Sequence, residues 1–243
     1  MTAPGAPAIL AALEATWPAA ARHWVGPWTI REGRGGGSRV SAATADGPWR
    51  GDDIADAEDA MADLGQRALF MVRADEGALD AALAARGYAV LDPVNLYLGR
   101  AGTVAGPLHR TYRIWPPIAA QADIWRGAGI GPDRLAVMDR SGGPKTAILG
   151  RIDEDPAGVA FVAVHGAIAM LHALEVAGGH RRRGLGSGML GACGAWAAEH
   201  GAIWLALAVT VANDGANALY LRAGMRVAGG YHYRRAGSAG GRP

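Results

Sequence analysis

The C-terminal half of the chain contains a stretch rich in arginine and glycine, Arg181-Arg182-Arg183-Gly184-Leu185-Gly186-Ser187-Gly188. An apolar run, Ala167–Val176, has strand length and composition and precedes it, and the Ala- and Leu-rich segment Met189–His200 follows with helix length. A glycine-rich turn between a strand and a helix leaves backbone N–H groups at the helix N-terminus, where they and the helix dipole hold an anion. The three arginines add positive charge and bidentate donors beside that turn. The stretch therefore predicts a phosphate or pyrophosphate site.

A second motif, from Asn213 to Met225, follows a strand-like segment, Ala202–Val209. The first motif resembles the coenzyme A pyrophosphate loop of the GNAT acetyltransferase superfamily, Arg/Gln-x-x-Gly-x-Gly/Ala. The second resembles that family's Asn-x-x-Ala-x-x-Leu-Tyr-x-x-x-Gly-Phe/Met block, and the two motifs occur in the family's order. Gly178 departs from the pattern, since relatives often carry proline there, and it loosens the turn without removing a donor.

The resemblance implies an α/β (α+β) fold of the GNAT type. Its central sheet would be mixed and mostly antiparallel, flanked by helices, with one splayed strand pair. The order of elements agrees, because strands are predicted at Lys145–Ile152, Gly158–Val164 and Ile168–Val176 before a helix–strand–helix–strand sequence.

The order of elements repeats along the chain, which predicts a tandem of two halves. Gly47 and Gly87 lie the same number of positions apart as Gly184 and Gly224, and helix, strand and helix follow in each segment. In that register Leu83 takes the place of Tyr220, and the earlier segment has no Arg-x-x-Gly-x-Gly turn. We predict a degenerate GNAT-like half at 1–104, a catalytic GNAT domain at 105–235 and a disordered tail at 236–243. A chance match in an Ala-, Leu- and Gly-rich chain is the alternative.

Three further segments of the N-terminal half carry predictions. Ala8–Arg22 predicts a helix, and Trp28–Arg31 with Arg39–Ala42 predicts a hairpin around the loop Gly33–Gly37. That loop lacks the Lys-Ser/Thr that a phosphate-binding Walker loop requires. Arg100–Gly106 is the predicted linker.

The resemblance assigns a set of residues to coenzyme A. They are Leu174, Val176, Arg181, Arg182, Arg183, Gly184, Leu185, Gly186, Ser187, Asn213 and Tyr220. The backbone of Leu174 and Val176 would pair with the pantetheine arm as an added strand. Asn213 would cap its helix or hold the pantetheine.

Two residues are candidates for catalysis, Tyr220 and His172. Tyr220 matches the family's tyrosine, which protonates the leaving thiolate, and a phenol pKa of about 10 suits that role. Regular strand alternation places His172 on one face with Leu174 and Val176, and Glu175 on the other. Relatives that use a strand carboxylate carry it where this chain has Met170, so His172 is the candidate base. A satisfied core histidine and a water chain remain open as alternatives.

The predicted activity is transfer of an acetyl group from acetyl-CoA, the co-substrate, to a primary amine of a small molecule or peptide. The acceptor would lie between the central strand and the segments Tyr112–Trp125 and Ser141–Lys145. The aromatics that are candidates for its pocket, with core packing as their alternative role, are Trp115, Trp125, Tyr231 and Tyr233. A non-catalytic acyl-CoA-binding sensor or interaction module on the same fold is the alternative function.

Composition excludes several classes of protein. The 243 residues are 50% hydrophobic with a formal net charge of +2, which gives no nucleic-acid footprint. One cysteine, Cys193, excludes an intramolecular disulfide, fits a reducing compartment and predicts packing. The sequence predicts no zinc site, secretory signal or membrane span, so we expect a cytoplasmic protein with no membrane partner.

Gly186–Gly191 spells the dinucleotide motif Gly-x-Gly-x-x-Gly, but the next strand does not end in the acidic residue that motif requires. Nothing in the sequence predicts the oligomeric state.

Overall fold

The computed structural model describes residues 2–104 and 110–237. The helices are α1 (Ala6–Thr16), α2 (Asp53–Asp63), α3 (Gly77–Ala85), α4 (Ala119–Gly127), α5 (Pro132–Arg140), α6 (Leu185–Glu199) and α7 (Asp214–Arg222). The strands are β1 (Ala21–Val25), β2 (Trp28–Glu32), β3 (Thr44–Ala45), β4 (Leu69–Arg73), β5 (Tyr88–Arg100), β6 (Arg110–Ile114), β7 (Lys145–Ile152), β8 (Asp155–His165), β9 (Ile168–Val176), β10 (Trp204–Thr210) and β11 (Arg226–Ala236). No helix in the described ranges is long and apolar enough to cross a membrane.

The chain divides into two compact units. Unit 1 comprises Met1–Pro18, Asn95–Val209 and Asn213–Gly229, and unit 2 comprises Ala19–Val94, Thr210–Ala212 and Gly230–Pro243. These units do not coincide with the predicted halves 1–104 and 105–235, because α1 packs on β8 and β9 of unit 1. The predicted bounds 1–104 and 105–235 describe two repeated halves rather than compact units, so they stay a prediction.

The sheet of unit 1 is mixed and mostly antiparallel, as the resemblance implied. Its strands lie in the order β10-β9-β8-β7-β6, and β9 and β10 are the parallel pair. The end of β5 lies beside the start of β10, since Ala101 N donates to Ile203 O at 3.0 Å.

Helix α6 covers one face of this sheet and supplies its core. Leu185, Met189 and Cys193 are fully buried against strands β7, β8 and β9. Gly150 and Gly158 allow this close approach, because a Cβ on either would come within 2.8 Å of the Met189 sulfur. Burial raises the pKa of the Cys193 thiol to about 12, so the thiol is a packing group, as predicted.

Helices α1 and α4 lie on the opposite face of β8 and β9. Ile9, Ala12 and Leu13 of α1 are buried there. The predicted helix Ala8–Arg22 was too long, since α1 ends at Thr16 and residues 21–25 form β1. The physical reason is Pro18, which disfavours the helical conformation at Trp17 and cannot donate to a helix.

Unit 2 has its own core, formed by α2 and α3 with two groups of strands. The order β1-β2-β3 makes one antiparallel sheet, and β4 pairs antiparallel with Tyr231–Arg235 of β11. The largest buried side chains of this core include Trp28, Ile30, Ile54, Met61, Phe70, Leu79 and Leu83. The predicted hairpin was wrong, because Ser38–Val40 form a 3-10 turn and β2 pairs with β1 and β3.

The repeated order of elements is present in the structure. Helix α2, strand β4, helix α3 and strand β5 follow one another as do α6, β10, α7 and β11. Gly87 and Gly224 end α3 and α7 with φ of +83° and +81°, a left-handed conformation that glycine adopts without strain.

Two predicted flexible segments fall partly outside the described residues. Of the predicted linker Arg100–Gly106, Arg100 ends β5 and Ala101–Thr103 form a 3-10 turn. Its last two residues lie outside the described ranges. Of the predicted tail, Ala236 is the last residue of β11, and positions 238–243 lie outside.

Candidate functional site

The central strand β9 contains a bulge at Ala173. Ala173 has a φ of +49°, and the pairing of β9 with β8 shifts so that Phe161 faces His172 while Val159 faces Glu175. Between these two pairs, one residue of β8 therefore lies opposite two residues of β9. A bulge of this kind reverses the alternation of side chains beyond it.

The bulge corrects the predicted faces of β9. His172 and Glu175 share a face, because their partners Phe161 and Val159 share one. Leu174 and Val176 lie on the other face, where they pack against the α6 core together with Leu171. The prediction that His172 shares a face with Leu174 and Val176 was therefore wrong.

Trp125 of α4 contacts the bulge from the face of the sheet opposite to α6. Its indole Nε1 donates a hydrogen bond of 2.8 Å to the carbonyl oxygen of Ala173, and its side chain is fully buried. Trp125 therefore has the core role that was one of its two predicted roles. Trp115 packs on Phe161 at 5.3 Å between ring centroids, and the Lys145 ammonium lies 4.9 Å from its ring centre.

Beyond the middle of β9, its pairing with β10 ends. The last pair in the parallel register joins Leu171 to Leu207. From Ala173 on β9 and from Ala208 on β10, the residues change from buried to half-buried. The two strands therefore splay, and the edge of β9 that faces β10 becomes available to a ligand.

The predicted turn follows the splayed strand β9 and leads into the first residues of α6. Gly184 is the N-cap of the helix with φ +81° and ψ −6°, and it makes no side-chain cap. The N–H groups of Leu185, Gly186 and Ser187 are the first of the helix and have no acceptor within it. Gly186 lies against the splayed strand, since a Cβ there would be 3.8 Å from the Val176 side chain.

The three arginines of the turn are exposed. Arg181 Nε donates to Val176 O at 3.0 Å, and Arg183 forms an exposed ion pair of 3.1 Å with Asp153. Arg182 has a φ of +65° and forms no ion pair within the described ranges. An exposed ion pair contributes little to stability, so Arg183 and Arg182 are available to an anionic ligand.

Helix α7 begins at the second motif. The side chain of Asn213 accepts a hydrogen bond of 3.1 Å from Ala216 N, which is the predicted capping role. The Asn217 side-chain oxygen accepts from Asn95 at 3.1 Å and from the Tyr97 hydroxyl at 3.0 Å. These bonds fix α7 against the end of β5 within unit 1.

Tyr220 of α7 is buried, with 6% of its surface exposed. Its ring lies 5.5 Å from that of Tyr97. Burial raises the pKa of its hydroxyl, and the negative charge of Glu175 raises it further. The hydroxyl therefore stays protonated at neutral pH and can donate a hydrogen bond.

Glu175 lies on the face of β9 opposite to the one that regular strand alternation predicts. It is half-buried. Burial raises the pKa of its carboxyl above the ordinary value, against the opposing charges of Arg181 and Arg134. A carboxylate with a raised pKa, within electrostatic reach of Tyr220, is a candidate proton acceptor.

His172 is enclosed in the core of unit 1. It is 3% exposed, its Nε2 lies 2.9 Å from Thr16 Oγ1, and its ring stacks on Trp17 at 4.8 Å. The Thr16 hydroxyl also donates to Ala12 O at 2.7 Å, which leaves its oxygen to accept from the imidazole. These contacts favour the alternative of a core histidine.

One cleft of unit 1 lies apart from these residues. It measures about 490 Å³, and its lining includes Gly142, Gly143, His165 and His200. His165 ends β8 and precedes the start of β9, whereas the splay begins beyond Leu171. In the described ranges no group of three or more His, Cys, Asp or Glu side chains could hold a metal ion.

Comparisons with known proteins point to one family. Residues 114–225 match the model of the Acetyltransferase (GNAT) family. The matched residues, which include both motifs, are therefore similar to the GNAT family, as the two motifs indicated. No curated protein matches the chain.

Solved structures with low sequence identity share the fold. A GCN5-related N-acetyltransferase from Kribbella flavida is 18% identical with a TM-score of 0.72, over 97% of this chain and 98% of that one. A conserved protein of unknown function from Staphylococcus epidermidis is 12% identical with a TM-score of 0.68, over 89% and 93%. A tandem GNAT protein from the clavulanic acid biosynthesis pathway is 16% identical with a TM-score of 0.62, over 82% and 76%. The GNAT fold extends in these comparisons beyond the residues that the family model matches.

Proposed function

We propose that this protein is an acetyl-CoA-dependent N-acetyltransferase that acts on a primary amine of a small molecule or peptide, by direct attack in a ternary complex. The observation that carries the proposal is that β9 splays from β10 and then leads to the start of α6, where no side chain caps the helix. A phosphate site and an open strand edge thus lie next to each other. That pair of features suits a ligand with a pyrophosphate and an extended amide-bearing arm.

The residues of the turn fit a pyrophosphate. The first three N–H groups of α6 point out of the helix start, and the helix dipole adds a partial positive charge there. Arg182 and Arg183 supply full positive charges on exposed side chains. Arg181 is held by Val176 O and would position the turn rather than clamp the ligand.

The residues of β9 fit the pantetheine arm. Beyond the Leu171–Leu207 pair, the backbone of Leu174 and Val176 lies on the part of the strand that no longer pairs with β10. Their side chains pack into the α6 core, so the backbone there is held rigidly. Hydrogen bonds to such an edge would extend the sheet by one ligand strand.

When bound, acetyl-CoA supplies the acetyl group and a thiolate leaving group. Tyr220 donates a hydrogen bond to the negative charge that develops on the sulfur. Because the pKa of the Tyr220 hydroxyl is raised and that of a thiol is ordinarily about 8.5, full proton transfer from the phenol to the sulfur is unfavourable, and coenzyme A leaves as the thiolate. The hydroxyl therefore acts mainly by stabilising that charge.

Glu175 accepts the proton of the acceptor amine, directly or through water. It shares its face of β9 with His172, it is half-buried rather than enclosed, and its raised pKa brings it closer to neutral pH. His172 is committed to Thr16 and Trp17. The acceptor would then approach from the face of β9 that α4 covers. A cytoplasmic location is part of the proposal.

The alternative is an acyl-CoA sensor without turnover, and Tyr220→Phe distinguishes the two. This change removes one hydroxyl from a buried ring, so we expect acetyl-CoA affinity to be retained while kcat falls about 10- to 1,000-fold. The assay measures release of free coenzyme A with a panel of primary amines. Tyr88→Phe, which removes a buried tyrosine's hydroxyl in unit 2 that donates to Glu58, is the control. A wild-type protein that binds acetyl-CoA and transfers to no amine would support the sensor.

A further inference from the structure

Strand β1 forms an open edge of the small sheet in unit 2. In the order β1-β2-β3, it pairs with β2 alone among the described strands. The residues of β2 are almost all buried, whereas Arg22, His23 and Trp24 of β1 are exposed. Since neighbouring residues of a strand point to opposite faces, the layers that cover both faces of β2 end before β1. The outer edge of β1 is therefore open to another chain.

The turn between β1 and β2 determines which backbone groups face that edge. It has two residues, Gly26-Pro27, and the pair that flanks it is Val25 and Trp28. A two-residue turn makes its flanking residues a hydrogen-bonded pair. Such pairs alternate with non-hydrogen-bonded pairs along an antiparallel ladder, so Arg22 and Trp24 direct their N–H and C=O groups away from β2.

The side chains of Arg22 and Trp24 lie on one face of β1 and contact each other. The guanidinium carbon is 5.7 Å from the centre of the Trp24 ring, which is within the range of a cation–π interaction. Trp24 is nonetheless 71% exposed, so most of its ring surface is in contact with water. Burial of this indole would favour association, and the backbone groups of the edge would direct it.

We propose that β1 pairs with β1 of a second copy of this chain, antiparallel about a two-fold axis at His23. The axis passes through the middle of the strand, so every residue of Ala21–Val25 has an opposite residue in the second copy. Arg22 and Trp24 then form two symmetry-related pairs, each of which exchanges both of its N–H···O=C hydrogen bonds. His23 lies opposite itself in the non-hydrogen-bonded pair at the centre.

The charge distribution along the edge favours this register. It places Arg22 opposite Trp24 of the second copy, so a guanidinium meets an aromatic ring on each side of the axis. Moving the axis to Arg22 would place two arginines directly opposite each other, which is unfavourable. Moving it to Trp24 would place Arg22 opposite Gly26 of the turn, outside the strand. The edge is therefore complementary to its own copy.

The test combines sedimentation velocity of the full-length protein over a range of concentrations with cysteine cross-linking. Trp24→Thr removes the indole and keeps a residue suited to a strand. Val90→Thr is the matched control, because Val90 is 50% exposed on a strand residue of the same unit. His23→Cys tests the register, and Val90→Cys is its control. The natural cysteine, Cys193, is fully buried, so it adds no cross-link of its own.

We expect the wild type to dimerise with a micromolar Kd, because a single added strand makes a small interface. Trp24→Thr should raise this Kd about tenfold or more, and Val90→Thr should leave it unchanged. With oxidised glutathione, His23→Cys should form a disulfide-linked dimer and Val90→Cys should not, since the Cα atoms of a non-hydrogen-bonded pair are close enough for a disulfide.

Three results would each overturn the proposal. They are a wild type that stays monomeric at millimolar concentration, an unchanged Kd in Trp24→Thr, and equal cross-linking of the two cysteine variants. Kinetic and unfolding measurements at sub-micromolar concentration report on the monomer, so acetyl transfer takes no part in this test.

Discussion

The indole Nε1 of Trp125 donates a hydrogen bond of 2.8 Å to the carbonyl oxygen of Ala173, the residue at the bulge of the central strand. This bond joins α4 to the bulge, beyond which the side chains of β9 alternate in the opposite sense. It therefore links the packing on one face of unit 1 to the splay that the cofactor site requires.

The first prediction concerns this bond. Trp125→Phe keeps a buried ring but leaves the Ala173 carbonyl without its donor, so we expect a loss of about 1–3 kcal/mol in the free energy of unfolding. The KM for acetyl-CoA should rise as well, because the bulge sets the free edge of β9. Trp24→Phe is the control, since Trp24 is 71% exposed. Denaturant unfolding and steady-state kinetics measure both effects, and equal behaviour of the two variants would count against a role for the bond.

The second prediction separates His172 from catalysis. His172→Gln disrupts the contacts with Thr16 and Trp17, so we expect a loss of stability of about 1–3 kcal/mol. The ascending limb of the pH dependence of kcat/KM should stay at the wild-type position in the folded variant. Loss of that limb would restore His172 as the base.

The third prediction assigns the ascending limb of the pH dependence of kcat/KM to Glu175. Glu175→Gln should lower kcat/KM about 100- to 10,000-fold and leave the Kd of acetyl-CoA unchanged. Because burial raises the pKa of this carboxyl, the limb should lie above the ordinary value of a glutamate. Glu199→Gln, which alters an exposed carboxylate of the same unit, should have wild-type kinetics. A pH profile that Glu175→Gln leaves intact would point to a water chain or another group.

Much of the fold and part of the site could be predicted from the sequence, because they depend on local patterns. The turn before α6 and the Asn213 cap follow from glycine, arginine and asparagine at fixed spacing, and the order of elements in the C-terminal half follows from the order of apolar runs. Pro18 could have marked the end of α1, and that signal was missed.

The bulge could not be predicted, and it changed the assignment of the base. Ala173 is an ordinary residue in an apolar strand, and nothing in its type announces a φ of +49°. The conformation is set by tertiary contacts, including the hydrogen bond from Trp125, which lies 48 residues away in the chain. Regular alternation therefore placed Glu175 on the wrong face.

The central claim is that the splayed edge of β9 and the start of α6 hold acetyl-CoA, and isothermal titration calorimetry tests it most directly. We compare the wild type with a double variant, Arg182→Ala and Arg183→Ala. Its control has the same loss of charge elsewhere in unit 1, Arg113→Ala and Arg126→Ala, because Arg113 pairs with Glu199 at the other end of α6 and Arg126 lies on α4.

We predict micromolar binding to the wild type, on the order of −8 kcal/mol, and at least tenfold weaker binding to the turn variant. The control should bind as the wild type does, because its charges lie away from the helix start. No binding to the wild type, or equal weakening in both variants, would contradict the claim.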